Sequence, residues 1–369
     1  MARRLSGLAM VVALSAVVAG SASATPSTWT IEPSPNRGTL ENNIADVACP
    51  SATTCVAVGH WNDSPVYRAL AMTWDGSRWR LSPAKSRGGG ASHLARVSCP
   101  TPTSCVAVGW AQPLPGYKAI AEHWDGSAWT LMANPPGGNN GLLQSVDCPS
   151  PTMCVAVGVW YKYPRSHALF EIWNGATWSV MPSPGLLTHA FDVSCPTTTF
   201  CVAVGARGVD FDHTLVETWD GAQWSVVPVP DPGSGNRLNA VSCATETNCV
   251  AVGNYDGDGT VRAFIEVWNG STWTRQTAAQ VGTGGNALNN VSCIAATDCV
   301  AVGVFGVGQY GQNLVLTWNG TDWSNSPAPD GGHYTNYLSA VACVTASTCK
   351  AIGSYTHNKI QQTIVLSST

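Results

Sequence analysis

The sequence predicts an all-β fold, a seven-bladed β-propeller of four-stranded antiparallel blades. Three observations carry this. The first cysteines of a repeated pair fall at Cys49, Cys99, Cys148, Cys195, Cys243, Cys293 and Cys343, in steps of 50, 49, 47, 48, 50 and 50 residues. A fixed period of that length marks a repeat architecture. Each copy holds four strand-like runs and no helical period, and the last copy lacks a fourth strand that stands instead at the other terminus.

Within one copy, Leu94-x-x-Val97-x-Cys99 reads as an alternating strand, and the Pro/Ser/Thr cluster after it is turn chemistry. Cys105-Val106-Ala107-Val108-Gly109 is a continuous apolar run, as expected of a strand buried on both faces. Ala119 to Trp124 is the third strand, closed by Asp125-Gly126; that dipeptide favours the positive φ of a tight hairpin turn, and Asn-Gly replaces it in three copies. The fourth strand holds Trp129 and runs into Pro- and Gly-rich sequence. Six copies read Cys-Val-Ala-Val-Gly, and the seventh reads Cys349-Lys350-Ala351-Ile352-Gly353.

Four antiparallel strands repeated seven times suit a propeller. The final copy stops at Ile364-Val365-Leu366, while Ser27-Thr28-Trp29-Thr30-Ile31 matches Ser127-Ala128-Trp129-Thr130-Leu131. The N-terminal strand is therefore expected to complete the last blade and latch the ring. An open solenoid would need capping repeats instead.

Residues 1–24 read as a secretory signal: Arg3 and Arg4, an apolar core from Leu8 to Gly20, then Ala22-Ser23-Ala24 as the cleavage site. The apolar run is too short to span a bilayer. Residues 25–369 are expected to form one propeller domain, released outside the cell. In an oxidising compartment an even, regular cysteine set reads as a disulfide framework. The expected bridges are Cys49–Cys55, Cys99–Cys105, Cys148–Cys154, Cys195–Cys201, Cys243–Cys249, Cys293–Cys299 and Cys343–Cys349, which use all 14 cysteines. Loops this short contribute about 2–3 kcal/mol each at best. The C-x5-C spacing is not that of a zinc site, and no histidine flanks the pairs. Without its signal the chain keeps 16 Lys and Arg against 22 Asp and Glu, a balance that disfavours nucleic acid.

The two faces of such a ring differ. The cysteine turns and the W-[DN]-G turns share one face and are short and uniform. The loops from strand two to three, and from strand four to the next blade, share the other face and differ in every copy; variation on a repeated scaffold is where specificity resides. Thirteen of the sixteen tryptophans belong to the repeated motif, whereas Trp61, Trp110 and Trp160 lie just past strand two. Tyr67, Tyr117, Tyr161, Tyr163, Tyr255, Tyr310 and Tyr355 fall in strand two-to-three loops, and Tyr334 and Tyr337 in the last inter-blade loop. His60, His93, His167, His189, His213, His333 and His357 share that face. Rings amid Asn, Asp and His suit stacking on sugar C–H surfaces, and they equally suit a protein interface. The expected ligand-binding residues are Trp61, Tyr67, Trp110, Tyr117, Trp160, Tyr161, Tyr163, Tyr255, Tyr310 and Tyr355.

Other features are weaker as chemistry. Glu122, Glu171, Glu217 and Glu266 occupy one repeated place that Met72 and Leu316 also fill, so they read as strand positions satisfied by neighbours. Asn254-x-Asp256-x-Asp258-Gly259 resembles the start of a calcium loop, but its twelfth position is Ile265; calcium is a weak expectation and no other cofactor is implied. Asp63, Asp210, Asp212, Asp256 and Asp258 could supply the carboxylate pair of a glycoside-active enzyme at the channel mouth, the alternative to a non-enzymatic module. Thr73-Trp74-Asp75-Gly76-Ser77-Arg78-Trp79 is similar to the sialidase Asp-box but lacks the residue between Asp and Gly.

The repeated C-P-S-x-x-x-C-V-A-V-G and W-[DN]-G-x-x-W motifs resemble secreted propeller repeat proteins of filamentous high-GC bacteria. Within that set the chain resembles the lectin-type propeller subunits of umbrella toxin particles. The resemblance implies a secreted lectin docked through an adaptor onto a large toxin that inhibits competing bacteria. The motifs are scaffold residues, so no binding residue transfers with them.

Overall fold

Every copy of the repeat folds into one four-stranded antiparallel sheet. The computed structural model describes residues 28–85, 90–112, 116–133, 140–162, 165–184, 188–208 and 212–368; the expected signal segment, Tyr163 and Asp210 lie outside them. After β1 (Trp29–Glu32), the first blade is β2 (Asn42–Ser51), β3 (Thr54–Asn62), β4 (Tyr67–Trp74) and β5 (Trp79–Leu81). The second is β6 (Ser92–Thr101), β7 (Ser104–Ala111), β8 (Lys118–Trp124) and β9 (Trp129–Leu131). The third is β10 (Gly141–Ser150), β11 (Met153–Lys162), β12 (Arg165–Trp173) and β13 (Trp178–Met181). The fourth is β14 (Thr188–Thr197), β15 (Phe200–Arg207), β16 (His213–Trp219) and β17 (Trp224–Val226). The fifth is β18 (Ser234–Thr245), β19 (Asn248–Gly257), β20 (Thr260–Trp268) and β21 (Trp273–Gln276). The sixth is β22 (Asn286–Ala295), β23 (Asp298–Val307), β24 (Tyr310–Trp318) and β25 (Trp323–Asn325). The seventh is β26 (Asn336–Cys343), β27 (Cys349–His357) and β28 (Ile360–Ser368), completed by β1, which pairs antiparallel with β28 from Trp29↔Ser368 to Glu32↔Val365. No helix occurs among the described residues.

The core lies between blades. Seven apolar clusters sit at the seven seams; that of the closing seam joins Ile44, Val47 and Met72 to Ala340, Ile352 and Val365. The Cys-Val-Ala-Val-Gly strand serves two seams at once. Val106 and Val108 pack toward the third blade, whereas Ala107 packs toward the first. All seven disulfides form between the pairs expected.

The innermost strand departs from simple alternation. Leu94 and Val97 are both buried although three residues apart, which a period of two cannot achieve. A β-bulge resolves this: the register of β6 on β7 shifts between Leu94 and Arg96. The same shift recurs in every blade, at Ala45, Gln144, Phe191, Asn239, Asn289 and Ser339 as well as Ala95. A bulge bends its strand and re-aims a side chain. It also explains the glycine that ends each Cys-Val-Ala-Val-Gly. A Cβ on Gly158 would lie 2.9 Å from Leu143 Cα and still closer to the Leu142 carbonyl oxygen, and the other six glycines meet the same backbone.

The tryptophan turn is a hairpin with its glycine at positive φ, as expected (Gly76, 90°). Trp74 pairs directly with Trp79, so the loop has four residues. Asp75 Oδ1 accepts the N–H groups of Ser77 and Arg78 at 3.0 Å each. In the third blade Asn174 Oδ1 accepts those of Ala176 and Thr177 in the same way. Only a side-chain carbonyl-type acceptor is required, which is why Asp and Asn interchange.

The closing seam carries a lock of its own. Lys350 stands where six blades have the first valine. Its Nζ donates to Glu32 Oε1 at 2.6 Å and lies 4.0 Å from the Trp74 ring centroid. Glu32 Oε2 accepts Trp79 Nε1–H at 3.2 Å, so one carboxylate ties β1, β27 and the first blade. The fifth-to-sixth seam does this without charge, Gln276 accepting the Trp323 indole at 2.8 Å. Where Ser82, Met132, Met181 and Val227 stand at that position, the next indole N–H (Trp129, Trp178, Trp224, Trp273) is buried without a partner among the described residues.

Two outcomes follow. Gly158→Ala should destabilise the ring by about 1–3 kcal/mol or more in thermal denaturation, because backbone must move; a loss under ~0.5 kcal/mol would mean that the bulge does not demand glycine. Glu32→Ala should cost roughly 3 kcal/mol by removing the carboxylate partner of a buried ammonium, which keeps only Ser367 Oγ and the Trp74 ring. Glu32→Gln combined with Lys350→Val copies the uncharged seam and should recover most of that loss.

Candidate functional site

The bulges decide what faces the axis. The bulge residue of each inner strand turns into the channel, and in five blades the next residue does too (Asp46, Arg96, Ser145, Asp192 and Asn290), whereas Ala240 and Ala340 pack into seams. The channel divides into two cavities. The cavity on the cysteine-turn side is lined by Asp46, Ser98, Ser145, Asp147, Asp192 and Asn290, with their neighbours on the inner strands. It is a stitched ring. Asp46 accepts the Val97 N–H at 2.8 Å, Asp192 that of Val241 at 2.9 Å, and Asn290 that of Val341 at 3.1 Å, each reaching into the following blade. Ser194, Ser242 and Ser292 accept the N–H of Cys243, Cys293 and Cys343 at 2.9–3.1 Å. Asp147 accepts from Ser98, Cys148 and Cys195. These polar groups are spent on holding the blades together.

Arg96 lines both cavities. Its guanidinium lies 3.5 Å from Asp46 and 3.7 Å from Asp192 on the fourth blade, and it separates the two spaces.

The cavity on the tyrosine side has a volume of about 470 Å³, within the range of small-molecule sites. All seven bulge residues line it, namely Ala45, Ala95, Gln144, Phe191, Asn239, Asn289 and Ser339, with Asn43, His93, Trp110, Leu142 and Tyr337 around them. The wall is two-sided. Blades two to four give His93, Trp110, Leu142 and Phe191; blades five to one give Asn239, Asn289, Tyr337, Ser339 and Asn43. Asn239 and Asn289 donate their amide N–H to Leu288 O and Leu338 O at 2.8 Å, so their positions are fixed. Tyr337 Oη accepts from Asn43 Nδ2 at 2.6 Å. Gln144 Oε1 and His93 Nε2 are buried without a partner among the described residues. Burial holds the His93 imidazole far below its usual pKa, at about 3, so the ring is neutral.

From the rim a continuous run of edge-to-face rings enters this wall: Tyr67–His60 at 5.1 Å, His60–His93 at 4.8 Å, His93–Trp110 at 5.8 Å and Trp110–Tyr117 at 5.3 Å between centroids. Such contacts hold aromatic groups in fixed orientations.

Of the residues expected from sequence, Trp110 lines the cavity. Tyr67, Tyr117, Trp160 and Tyr161 lie on the same face, in blades one to three, 37–44 % exposed. Tyr310 contacts Tyr334 on the same face at 5.5 Å. Three others are held in packing. Trp61 lies under Arg37 at 4.6 Å. Tyr255 packs on Phe264 and its hydroxyl accepts from Arg275 at 2.7 Å. Tyr355 joins the core of the sixth-to-seventh seam. Gln144, Phe191, Asn239 and Asn289 escaped the sequence reading; the Leu-x-x-Val spacing of the inner strand was the signal that could have found them.

The carboxylates fall elsewhere. Asp63 faces Arg68 at 3.6 Å, Asp212 faces His213 at 3.6 Å, and Asp256 Oδ1 caps the Gly259 N–H at 2.7 Å. None of Asp63, Asp212, Asp256 and Asp258 lines the cavity. The suspected calcium segment is a β-hairpin turning at Asp258 and Gly259, both at positive φ, with Asn254 Oδ1 taken by Asn239 Nδ2. No group of three His, Cys, Asp or Glu able to hold a metal occurs among the described residues. Of the repeated glutamates, Glu122 faces an inter-blade linker, its Oε2 accepting the Lys85 N–H at 2.8 Å.

These features define a seven-bladed propeller with a two-sided axial cavity on its variable face. No family model and no curated protein matches the chain. Among solved structures it is similar to one described as YCF48 bound to D1 peptide, at 14% identity and a TM-score of 0.61, covering 92% of this chain and 96% of that one. It is similar also to the RRP9 WD40 repeats (11% identity, TM-score 0.63, 93% and 98% covered) and to YCF48 from Cyanidioschyzon merolae (14%, 0.55, 92% and 98%). At these identities the likeness is one of fold.

Burial has a consequence for pH. Desolvation pushes Glu122, Glu217 and Glu266 up to about 7 and Asp46 and Asp147 up to about 6. A carboxyl whose pKa is raised by folding stabilises the fold below its unfolded pKa and loses that contribution as pH rises through the folded value. The five raised carboxyls outnumber the buried neutral histidines, led by His93, that act in the opposite sense, so the ring should melt at a higher temperature at pH 5 than at pH 8, with the change concentrated between about pH 4.5 and 7. A melting temperature that rises with pH over that window would contradict these burials.

Proposed function

We propose that this chain is a secreted, non-enzymatic binding module that engages a cell-surface glycan or a protein partner through its tyrosine face. One observation carries the reading: a cavity at the axis of that face, walled by rings on one side and fixed amides on the other, with Tyr67, Tyr117, Trp160 and Tyr161 exposed on blades one to three of the same face. Large rigid rings beside polar groups are what recognition surfaces use, because they offer contact area at low entropic cost. Seven disulfides belong to an oxidising, extracellular environment, and the described residues hold no helix long and apolar enough to cross a membrane. The solved structure of YCF48 bound to D1 peptide supports the same use of a propeller, as a platform for another chain. Presentation of this face by an adaptor on a large secreted toxin particle, which the motif resemblance implies, is compatible with it.

The experiment is affinity capture from culture supernatant and from cell-envelope extracts, with wild type and with a Trp110→Ala, Trp160→Ala double variant. The double variant should lose at least roughly tenfold in affinity, about 1.4 kcal/mol, for whatever wild type retains. Capture that ignores both substitutions, or turnover of any polysaccharide by the pure protein, would overturn the proposal.

A further inference from the structure

The cavity's chemistry narrows its ligand, given the reading of the tyrosine face as the recognition face: we infer that it takes the uncharged terminal sugar residue of a glycan chain, end-on. Shape comes first. Arg96 stands where the two axial cavities meet, held between Asp46 and Asp192. The upper cavity sits at the ring axis, approached from the variable face, a shape that suits the end of a chain better than its middle.

Charge comes second. Arg96 is the one formally charged side chain among the residues lining the well, and two carboxylates already face it from below. An anionic terminus would gain little from a guanidinium so paired and would be repelled by Asp46 and Asp192; a cationic one would meet the guanidinium first. The well is selective for a neutral group.

Polarity comes third. A pyranose has a C–H face and a hydroxyl edge. Trp110, Phe191 and Leu142 supply a surface for the first; Asn43, Asn239, Asn289 and Ser339 supply partners for the second. Gln144 Oε1 and His93 Nε2 are buried and unpartnered among the described residues. A buried polar atom left unpaired is costly, and a hydroxyl, both donor and acceptor, satisfies either. A peptide's apolar side chain would leave both unpaired.

The test is a glycan array carrying oligosaccharides with neutral hexose or N-acetylhexosamine ends and the same oligosaccharides capped with sialic acid. It is probed with wild type, Gln144→Leu, Trp110→Ala and Trp160→Ala. Wild type should bind a subset of neutral ends and lose them on capping. Gln144→Leu should weaken that binding at least roughly tenfold while its melting temperature stays level or rises, since Gln144 Oε1 has no bond to lose. Calorimetry should give one site per chain. Failure of wild type to bind any neutral end, preference for the capped forms, or binding indifferent to both Gln144→Leu and Trp110→Ala overturns the inference. Binding that falls with Trp160→Ala but not with Gln144→Leu overturns the end-on site and leaves the face standing. A protein partner captured through Trp110, with no glycan bound, rejects the sugar and keeps the face.

Discussion

The structure depends on one extra residue in each innermost strand. With strict alternation, Leu94 and Val97 could not both reach a seam, and the same holds for their counterparts in six other blades. The bulge lets both pack while turning its own side chain, and in five blades the next one as well, into the channel. Its demand on the neighbouring strand is a glycine, and seven of seven copies supply one. The backbone thus separates two jobs: an apolar residue (Leu in five blades, Ile44 and Ala190 in the other two), Val and Gly are held for packing, and the positions between the first two vary. The contents of both axial cavities follow from that variation.

Ring closure imposes the second constraint. Six seams join neighbours in sequence, but the seventh must bring residues more than three hundred apart together, and it bears the Glu32, Lys350, Trp74 and Trp79 cluster. A buried ion pair is a weak source of net stability. Its use here fits register: only the closing seam offers a lysine, so β1 has one partner that matches Glu32. The inner rings of Asp, Asn and Ser acceptors do related work at other seams by bonding the next blade's N–H groups.

Much of this was legible in the sequence because it is local and repeated. Period, strand number, disulfide pairing and the strand exchanged between termini all lie in spacings and motif matches. The site was legible only in part. Which face carries the tyrosines follows from connectivity, yet which residues enter the axial well depends on the bulge, and reading Leu94-x-x-Val97 as alternation concealed it. Tyr255 and Tyr355 show the converse difficulty. Their place in a variable loop suggested ligand contact, but Arg275 and Phe264 hold the first and the sixth-to-seventh core holds the second, interactions between segments that spacing does not encode.

The proposed recognition therefore belongs to the channel end of the blades, where the bulge side chains line the cavity. Filling the well tests this most directly. Ala45 is a bulge residue on the cavity wall and makes no side-chain hydrogen bond. Ala45→Phe should keep the melting temperature of wild type and abolish retention of the partner that wild type captures. Undiminished capture by a folded Ala45→Phe ring would contradict the assignment of recognition to the axis.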